Sequence, residues 1–598
     1  MARTRRGQHR RRSIAASEPK AVPAKGFKGI ERLWWAAVGL LSVALALLVT
    51  WPMVLDPVGQ VVGHSEASVA CHVWVIWWAQ HHLSELSTNL IFFPHGADIV
   101  QLYGSDLLSP LLLGMVPAPP VLLYNLWVLL LLTTGGMGAA FLARHMGAHP
   151  WACLVATVVF ETAPFLQHEL LNGTSELLAA ATLPWFIAML YRTLASPTVR
   201  NGVLVGGIAG IAFALSVYNL FFVLAVLFIA LLHRAATNLE PIWTPPLLKA
   251  VGAAAAVGSL FAVPIAGLHL THGAGDTFAR RGDWLNIKPP LPDMFADALA
   301  WFDPRATEIP VMYAAPLMPE LEYWTTCTVY LGFVTLALAA AGLLRKTRRD
   351  AVVPLAVVAW MAAVGVLIAS GPTLRAGGQE VRLLGQALAL PGQTIAMLFP
   401  PFVVTAMHSY RYAVLVVVAL SALAARGAGR AWWAVMVLVA VEAMWVAPVP
   451  WPAHTTVVPR SPVLERLAKR PDGAVLTAPS RRDNLGDLGR MLMAQTVHGK
   501  PVQDGGMHHR AGEVSTAMFR DNAAVSDISG HIGPDWSEPL GAWTPHLYAA
   551  GYRYVLVPAD HYEGRIWVHS TLGIPTDTDD HWALWPISAP DSQRGTLP

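Results

Sequence analysis

The sequence contains little charge for its length. Of 598 residues, 41 are Lys or Arg and 38 are Asp or Glu, together 13%, whereas soluble domains usually carry about 25%. A soluble protein of this size needs more charge to cover its surface, so the composition excludes a purely cytosolic enzyme, a disordered chain and a fibre. The net charge of +3 is too small to indicate a nucleic-acid partner.

Cysteine and the common motifs of soluble enzymes are also scarce. Cys71, Cys153 and Cys327 are far apart and lie among apolar residues, so they indicate neither a disulfide framework nor a metal motif. The sequence lacks a phosphate-binding loop of the GxxxxGK type, an HExxH motif and a CxxC motif. Energy coupling by bound ATP is therefore disfavoured.

Long apolar runs dominate what is present. Hydrophobic residues make up 54% of the chain and the mean hydropathy is +0.46. Since a membrane helix needs about 20 apolar residues, we predict an α-helical polytopic membrane bundle of about eleven transmembrane helices. The predicted spans are 34–55, 120–142, 151–167, 175–193, 202–218, 219–234, 247–268, 324–344, 351–370, 409–425 and 431–448.

Basic residues orient this bundle. Residues 1–33 carry ten Lys or Arg and no small-residue cleavage site ends the first apolar run, so we predict a cytoplasmic tail and a retained first span. The loop 56–119 has no Lys or Arg, which places it outside. The transmembrane domain is predicted over 34–449, with further long outer loops at 269–323 and 371–408.

The composition changes from about Pro450, where charges become frequent and apolar runs shorten. Strands are predicted over 474–479, 552–560 and 581–587, and helices over 485–497 and 512–522. Residues 450–598 are therefore predicted to form an α/β domain, which the topology places outside the cytoplasm.

The first outer loop gathers acids and histidines without a nearby cation. These residues are Asp56, His64, Glu66, His95, Asp98 and Asp106. A carboxylate there can accept a proton from an acceptor hydroxyl or hold a divalent ion. The segment VACHVWVIWWAQHHL within the loop is predicted to be a helix lying in the membrane interface.

Several short motifs resemble one group of membrane enzymes. They read GHSEASVACHVWVIWW, FFPHG, LSPLL and YNL, followed by ETAPFLQHELLNG at 161–173, an Arg-containing entry to a late span at 407–429, HGKPVQDGG and GYRYVLVP. The pattern is similar to the bacterial multi-pass glycosyltransferases of the C superfamily that use polyprenyl-phosphate sugars. The resemblance covers most of the chain and does not specify a substrate.

The resemblance implies roles for particular residues. The acidic residue after the first span is the catalytic base or metal contact, which by position is Glu66, with Asp56 as competitor; many relatives have Asp where Glu66 stands. Because the phosphate is an anionic leaving group, a transferase needs a fixed cation, and Arg411 is the preferred contact because YRY places it between aromatic residues. A divalent cation (Mg²⁺ or Mn²⁺) is a candidate cofactor. Further candidate substrate-binding residues are His64, His95, His168, Glu169, Arg280 and Arg281.

The function expected from these residues is transfer of a sugar from a polyprenyl-phosphate donor to a glycan, lipid or protein acceptor. The reaction is expected at the extracytoplasmic face of the bacterial inner membrane, in the cell envelope. Two alternatives stay open. A transporter or flippase would use the acids within apolar runs, Glu161 and Glu442. A catalytically silent scaffold would bind partners through its outer domain.

Overall fold

The structure is a computed structural model of the chain. Glu66, Arg280 and Arg281 lie outside the residues it describes, as do residues 1–27 of the basic tail and the predicted helix over 512–522. The described residues are 28–64, 68–103, 106, 108–237, 244–272, 296–302, 328–346, 348, 351–371, 373–377, 379–391, 409–447, 449–478, 485–505, 540 and 543–589.

A bundle of apolar helices forms the larger part of the fold. Side chains from distant parts of the sequence, such as Trp34, Tyr124 and Tyr412, are buried in one core. Large apolar side chains such as Leu40 and Phe228 point outward, as expected of a surface that faces lipid. The helices are α1 (Lys28–Val49), α2 (Val69–His82), α3 (Ile99–Tyr103), α4 (Leu108–Gly114), α5 (Pro120–His145), α6 (Cys153–Glu161), α7 (Pro164–Leu171), α8 (Ser175–Leu178), α9 (Thr182–Ala195), α10 (Val199–Leu215), α11 (Val217–Ala236), α12 (Pro245–Thr271), α13 (Phe333–Leu344), α14 (Leu355–Ala369), α15 (Ala413–Ala428) and α16 (Trp432–Trp445).

The number of membrane spans differs from the sequence-based count. Among the described residues, 6 helical segments are long and apolar enough to cross a membrane. The apolar helices α10, α13 and α14 are shorter than a full span. Each predicted span overlaps a helix, but the predicted number of about eleven spans is not established.

The predicted continuous span over 151–167 is wrong. Helix α6 ends at Glu161 and α7 begins at Pro164. Proline lacks the N–H that a helix interior needs, and it disfavours helical geometry in the residue before it. Ala163 accordingly has φ −58° and ψ 121°. The break starts a new helix, α7, which carries His168 and Glu169.

Helix α2 is not an exposed surface helix, as the interface prediction required, because it is buried from Val69 to Ala79. One face, which includes Val69, Val73 and Ile76, belongs to the core of the bundle. The opposite face, which includes Trp74 and Trp78, belongs to a second core built around a β-sheet. The tryptophans of this helix therefore join two parts of the protein rather than anchoring a surface helix.

That sheet is formed by the C-terminal part of the chain. Its strand order is β11-β12-β10-β9, with β10 parallel to β9 and antiparallel to β12. The central strand β10 is buried along almost its whole length, as expected when both faces of a strand are covered. The elements here are α17 (Pro462–Ala468), β9 (Ala474–Thr477), α18 (Leu485–His498), α19 (Thr544–Ala549), β10 (Tyr552–Pro558), α20 (Tyr562–Leu572), β11 (Asp577–Thr578) and β12 (Trp582–Pro586).

Short strands complete the structure. β1 (Gln60–Val62) pairs antiparallel with β8 (Thr455–Val457), which ties the first long loop to the chain that follows α16. The remaining pairs are β2 (Ser87–Thr88) with β3 (Ala97–Asp98), β4 (Arg375–Ala376) with β5 (Gln379–Glu380), and β6 (Arg382–Leu383) with β7 (Gln386–Ala387).

Two buried charges cap helix α13. At its N-terminus, Glu442 accepts hydrogen bonds from the N–H groups of Phe333 (2.6 Å) and Val334 (3.0 Å) and from the Tyr330 hydroxyl (3.0 Å). At its C-terminus, Arg426 donates to the carbonyls of Gly342, Met146 and Arg345. Each charge complements the end of the helix dipole it contacts. Glu442 thus has a structural role, which weakens the transporter alternative.

We expect Glu442→Ala to destabilise the bundle, because it leaves two N–H groups and a hydroxyl without their acceptor. A buried donor left without its acceptor costs about 1–3 kcal/mol, so the Tm in detergent should fall clearly. Glu442→Gln, which keeps a carbonyl oxygen, should be intermediate. Glu465→Ala, at an exposed position, serves as the control. Equal Tm values for Glu442→Ala and Glu465→Ala would contradict the capping role.

Candidate active site

Buried charged side chains meet at the end of the bundle next to the sheet. They come from α2, from residue 106, from α7, from α8 and from the 3-10 turn Ser409–Tyr412 that precedes α15. Ionisable side chains are rarely buried unless they are paired, and clusters of them are common at functional sites. The residues are His72, Asp106, Glu169, Glu176 and Arg411.

The turn between α7 and α8 brings these elements together. Gly173 has φ +71°, a conformation that favours glycine. A Cβ added to Gly173 would lie 2.4 Å from the amide nitrogen of Val69. Only a residue without a side chain allows this turn to pack against the start of α2.

Glu169 is held by three neighbours. Its Oε1 accepts a hydrogen bond of 2.6 Å from the Tyr410 hydroxyl, and its Oε2 accepts one from the Thr174 hydroxyl. Burial raises the pKa of the Glu169 carboxyl, and this shift is opposed by the positive charge of Arg411 and by the hydroxyls of Thr174 and Tyr410. The carboxyl is therefore fixed in position next to a cation.

Arg411 is buried against aromatic rings. Its guanidinium carbon lies 4.6 Å from the ring centroid of Tyr218 and 6.0 Å from that of Tyr410. It interacts electrostatically with Glu169 and Glu176. Its Nε finds no hydrogen-bond acceptor among the described residues. The Arg411 side chain is thus held in place and keeps one N–H group available. A planar guanidinium in this state can bind an anion.

Three further side chains form a candidate metal site. His72 Nε2 lies 3.5 Å from Glu176 Oε2, and His72 Nδ1 lies 3.7 Å from Asp106 Oδ2. One ligand atom from each residue lies within 4.8 Å of the other two. The hydroxyl of Ser109 donates to the other oxygen of Asp106 at 2.6 Å, so that carboxylate is oriented by a neighbour, as is common for metal ligands.

The YNL motif supports this site from α5. The Tyr124 ring stacks at 6.1 Å from the ring of His72. Asn125 donates to the carbonyls of Pro57 (2.9 Å) and Gln60 (2.8 Å), so it pins the start of the first long loop. Tyr124 thus contacts the candidate metal site, and Asn125 holds the start of the first long loop.

The predicted substrate-binding histidines are dispersed. His168 is buried, and burial lowers its pKa to about 3; neither ring nitrogen has a hydrogen-bond partner among the described residues. His64 is exposed, with its ring centroid 4.9 Å from that of His454. His95 is exposed in the loop between β2 and β3.

Asp56 also lies apart from the cluster. Its Oδ1 accepts a hydrogen bond of 2.9 Å from the Gly59 N–H and lies 3.9 Å from Arg460. The side chain is 49% exposed, which is the usual environment of an aspartate that stabilises a turn. Of the predicted site residues that the structure describes, Glu169 and Arg411 come together, whereas Asp56, His64 and His95 do not join them.

Sequence reasoning did not select His72. It lies in an apolar run, and its partners Asp106 and Glu176 come from distant segments, so no short spacing could signal the contact. Asp106 was noted only as one of several acids in the first long loop. The burial of a histidine between two carboxylates becomes visible only when the segments are folded together.

The fold matches solved structures of known enzymes. Two cryo-EM structures of arabinofuranosyltransferase AftD from Mycobacteria match with TM-scores of 0.50 and 0.51 and sequence identities of 14% and 15%. These matches cover 94% and 93% of this chain. A third match, with a TM-score of 0.47 at 11% identity over 91% of this chain and 71% of the other, is to the archaeal oligosaccharyltransferase AglB from Archaeoglobus fulgidus.

The chain covers only 40% and 42% of the two AftD chains. No protein-family model and no curated protein sequence matches it. At 14% and 15% identity, the two AftD matches show a shared fold and no more. The chain shares its fold with arabinofuranosyltransferase AftD, which agrees with the resemblance drawn from its short motifs.

We expect Tyr410→Phe to loosen the contact between α7 and the turn before α15, because Glu169 loses a hydroxyl donor. A hydrogen bond to a charged group contributes about 1.5–3 kcal/mol, so the Tm in detergent should fall. Tyr562→Phe, at an exposed position on α20, is the matched control. A Tyr410→Phe protein that unfolds at the wild-type temperature would show that this hydrogen bond does not hold the two segments.

Proposed function

We propose that the protein is an integral membrane glycosyltransferase. It transfers a sugar from a polyprenyl-phosphate donor to an acceptor at the extracytoplasmic face. The observation that carries this proposal is the buried Arg411. Its guanidinium interacts with the carboxylates of Glu169 and Glu176, and its Nε has no hydrogen-bond acceptor among the described residues. The bundle that holds it has the fold of a glycosyltransferase. The neighbours are named as an arabinofuranosyltransferase, which supports transfer of a sugar without specifying which one.

The proposed orientation follows the basic residues. Arg426 contacts Met146 and Arg345 at the end of the bundle away from the sheet, and Arg144 lies over the ring of Trp34 there. By the positive-inside rule this end faces the cytoplasm. Residues 1–33 would then be a cytoplasmic tail, and residues 450–598 an extracytoplasmic domain at the inner membrane of a bacterium.

Arg411 would bind the phosphate of the donor. When the bond between the sugar and the phosphate breaks, the electron pair stays on the phosphate oxygen, and a fixed guanidinium stabilises that charge. Tyr218 and Tyr410 hold the guanidinium plane in place. Because the site is buried, little solvent reorganisation accompanies the change in charge.

Glu66 would be the base that takes the proton of the attacking acceptor hydroxyl. The described residues on either side of it are tied to the turn that follows α7. The His64 N–H donates to the Leu171 carbonyl at 2.8 Å, and the Ser68 N–H donates to the Asn172 carbonyl at 3.3 Å. These bonds attach the chain flanking Glu66 close to Glu169. Asp56 is the weaker candidate because it is engaged with Gly59 and Arg460.

A divalent cation would bind His72, Asp106 and Glu176. One ligand atom from each of the three residues lies within 4.8 Å of the other two, a spacing that suits atoms that share one ion. The Oε2 of Glu176 is buried without a hydrogen-bond partner among the described residues. A ligand set with one imidazole and two carboxylates favours Mn²⁺ over Mg²⁺. When bound, the ion would supply positive charge for the donor phosphate.

The transferase proposal is tested with two variants that separate chemistry from binding. Glu66→Gln should lower transfer from ¹⁴C-labelled polyprenyl-phosphate arabinose or mannose by about 100-fold or more, with unchanged binding of undecaprenyl phosphate. Arg411→Met should weaken that binding. Asp56→Asn should retain most of the transfer. Wild-type transfer by Glu66→Gln would exclude Glu66 as the base.

The metal proposal is tested by titrating the full-length protein in detergent with MnCl₂ and measuring free Mn²⁺ by electron paramagnetic resonance. Glu176→Gln and Asp106→Asn should weaken Mn²⁺ binding by about 10-fold or more, because each removes a charged ligand. Glu85→Gln, at an exposed carboxylate, is the control. Unchanged Mn²⁺ affinity in both ligand variants would rule out this site.

A further inference from the structure

A cleft of about 260 Å³ lies between the first long loop and the sheet. His64 and Ala70 line it from the side of the bundle, whereas Pro558 and Asp560 line it from the side of the sheet. Pro558 is the last residue of β10. The cleft thus opens at the carboxyl end of a central strand, which is the edge where α/β sheets commonly bind ligands.

The polar lining of the cleft carries both donors and acceptors. Arg490 Nη1 donates to both oxygens of Asp560, at 3.0 and 2.9 Å, so the charges of this pair balance. Asp580 also lines the cleft, and no ion pair involves it in the described part of the chain. His64 and His581 add imidazole groups. The lining therefore has a surplus of one negative charge when the histidines are neutral, which opposes binding of an anion.

Apolar surfaces alternate with these polar groups. Pro459, Met493 and Trp582 line the same cleft. A sugar ring presents hydroxyls at its edge and C–H groups on its faces, so it needs carboxylate and imidazole partners beside apolar contacts. The volume of about 260 Å³ is slightly below the usual range for ligand pockets, about 300–1,000 Å³, which suits a short segment of a glycan rather than a lipid tail.

We propose that this cleft binds an uncharged, hydroxyl-rich segment of a glycan acceptor. The inference rests on the proposed transferase function, because it identifies the chemical class of the acceptor. Asp580 and Asp560 accept hydrogen bonds from sugar hydroxyls, Arg490 holds Asp560 in place, and the apolar residues contact the ring. His64, two positions before Glu66 in the sequence, places the cleft beside the chain that leads to the proposed base.

The test measures binding separately from transfer. Full-length protein in detergent is titrated with two neutral probes, α-(1→6)-linked mannotetraose and α-(1→5)-linked arabinotetraose, and with the anionic tetragalacturonate. Binding is followed by saturation-transfer NMR and calorimetry. At least one neutral probe should bind, and tetragalacturonate should bind more weakly.

The variants locate the binding. Asp580→Asn and Asp560→Asn should each weaken binding of the neutral probe by about ten-fold, since each removes a charged acceptor. Glu563→Gln, an exposed acid outside the cleft, should bind as wild type does. The proposal is overturned if neither neutral probe binds, if tetragalacturonate binds more tightly, or if Asp580→Asn and Asp560→Asn both bind as the wild type does.

Failure of this proposal is distinguishable from failure of the transferase proposal. Glu66→Gln and Arg411→Met should bind the neutral probe with wild-type affinity, because neither residue lines the cleft. Loss of transfer with retained probe binding would support the cleft as a separate acceptor site. Loss of probe binding in either of these variants would contradict a site independent of the donor.

Discussion

The interaction between the Glu169 carboxylate and its three partners holds the polar end of the bundle together. A carboxylate buried among apolar helices is costly unless charge and hydrogen bonds compensate it. Tyr410 and Thr174 supply the hydrogen bonds and Arg411 supplies the charge. Because these partners come from the turn before α15 and the turn after α7, compensating one charge fixes the relative position of two distant segments.

Two pairs of buried charged residues in this bundle differ in the partners of their polar atoms. Glu442 and Arg426 contact mainly backbone N–H and carbonyl groups at the two ends of α13. Their hydrogen bonds stabilise the two ends of this helix. Arg411 and Glu176 keep a polar atom without a hydrogen-bond partner among the described residues. Leaving buried polar atoms unpaired is unfavourable for folding, and at the proposed site a bound ligand would compensate the atoms of Arg411 and Glu176.

Much of the fold could be predicted from the sequence, because it depends on local patterns. The apolar runs became helices, and the predicted strands over 474–479, 552–560 and 581–587 contain β9, β10 and β12. The position of α2 between two cores could not be predicted, since a helix that is apolar on all faces can lie in a membrane or between two cores. The break at Pro164 had a local signal, but the hydropathy of the surrounding run concealed it. The contact of His72 with Asp106 and Glu176 had none.

The double burial of α2 would matter for the proposed transfer reaction. One face of this helix packs in the core of the bundle and the other in the core of the sheet, and Trp74 donates a hydrogen bond of 2.7 Å to Gln495 of α18. His72 lies on the same helix and contacts Glu176. A rigid element thus connects the residues around Arg411 to the wall of the cleft. A displacement of about 1 Å between reacting groups can cost 100-fold in rate, so in the proposed transferase this one helix would set the distance between the donor at Arg411 and the acceptor in the cleft.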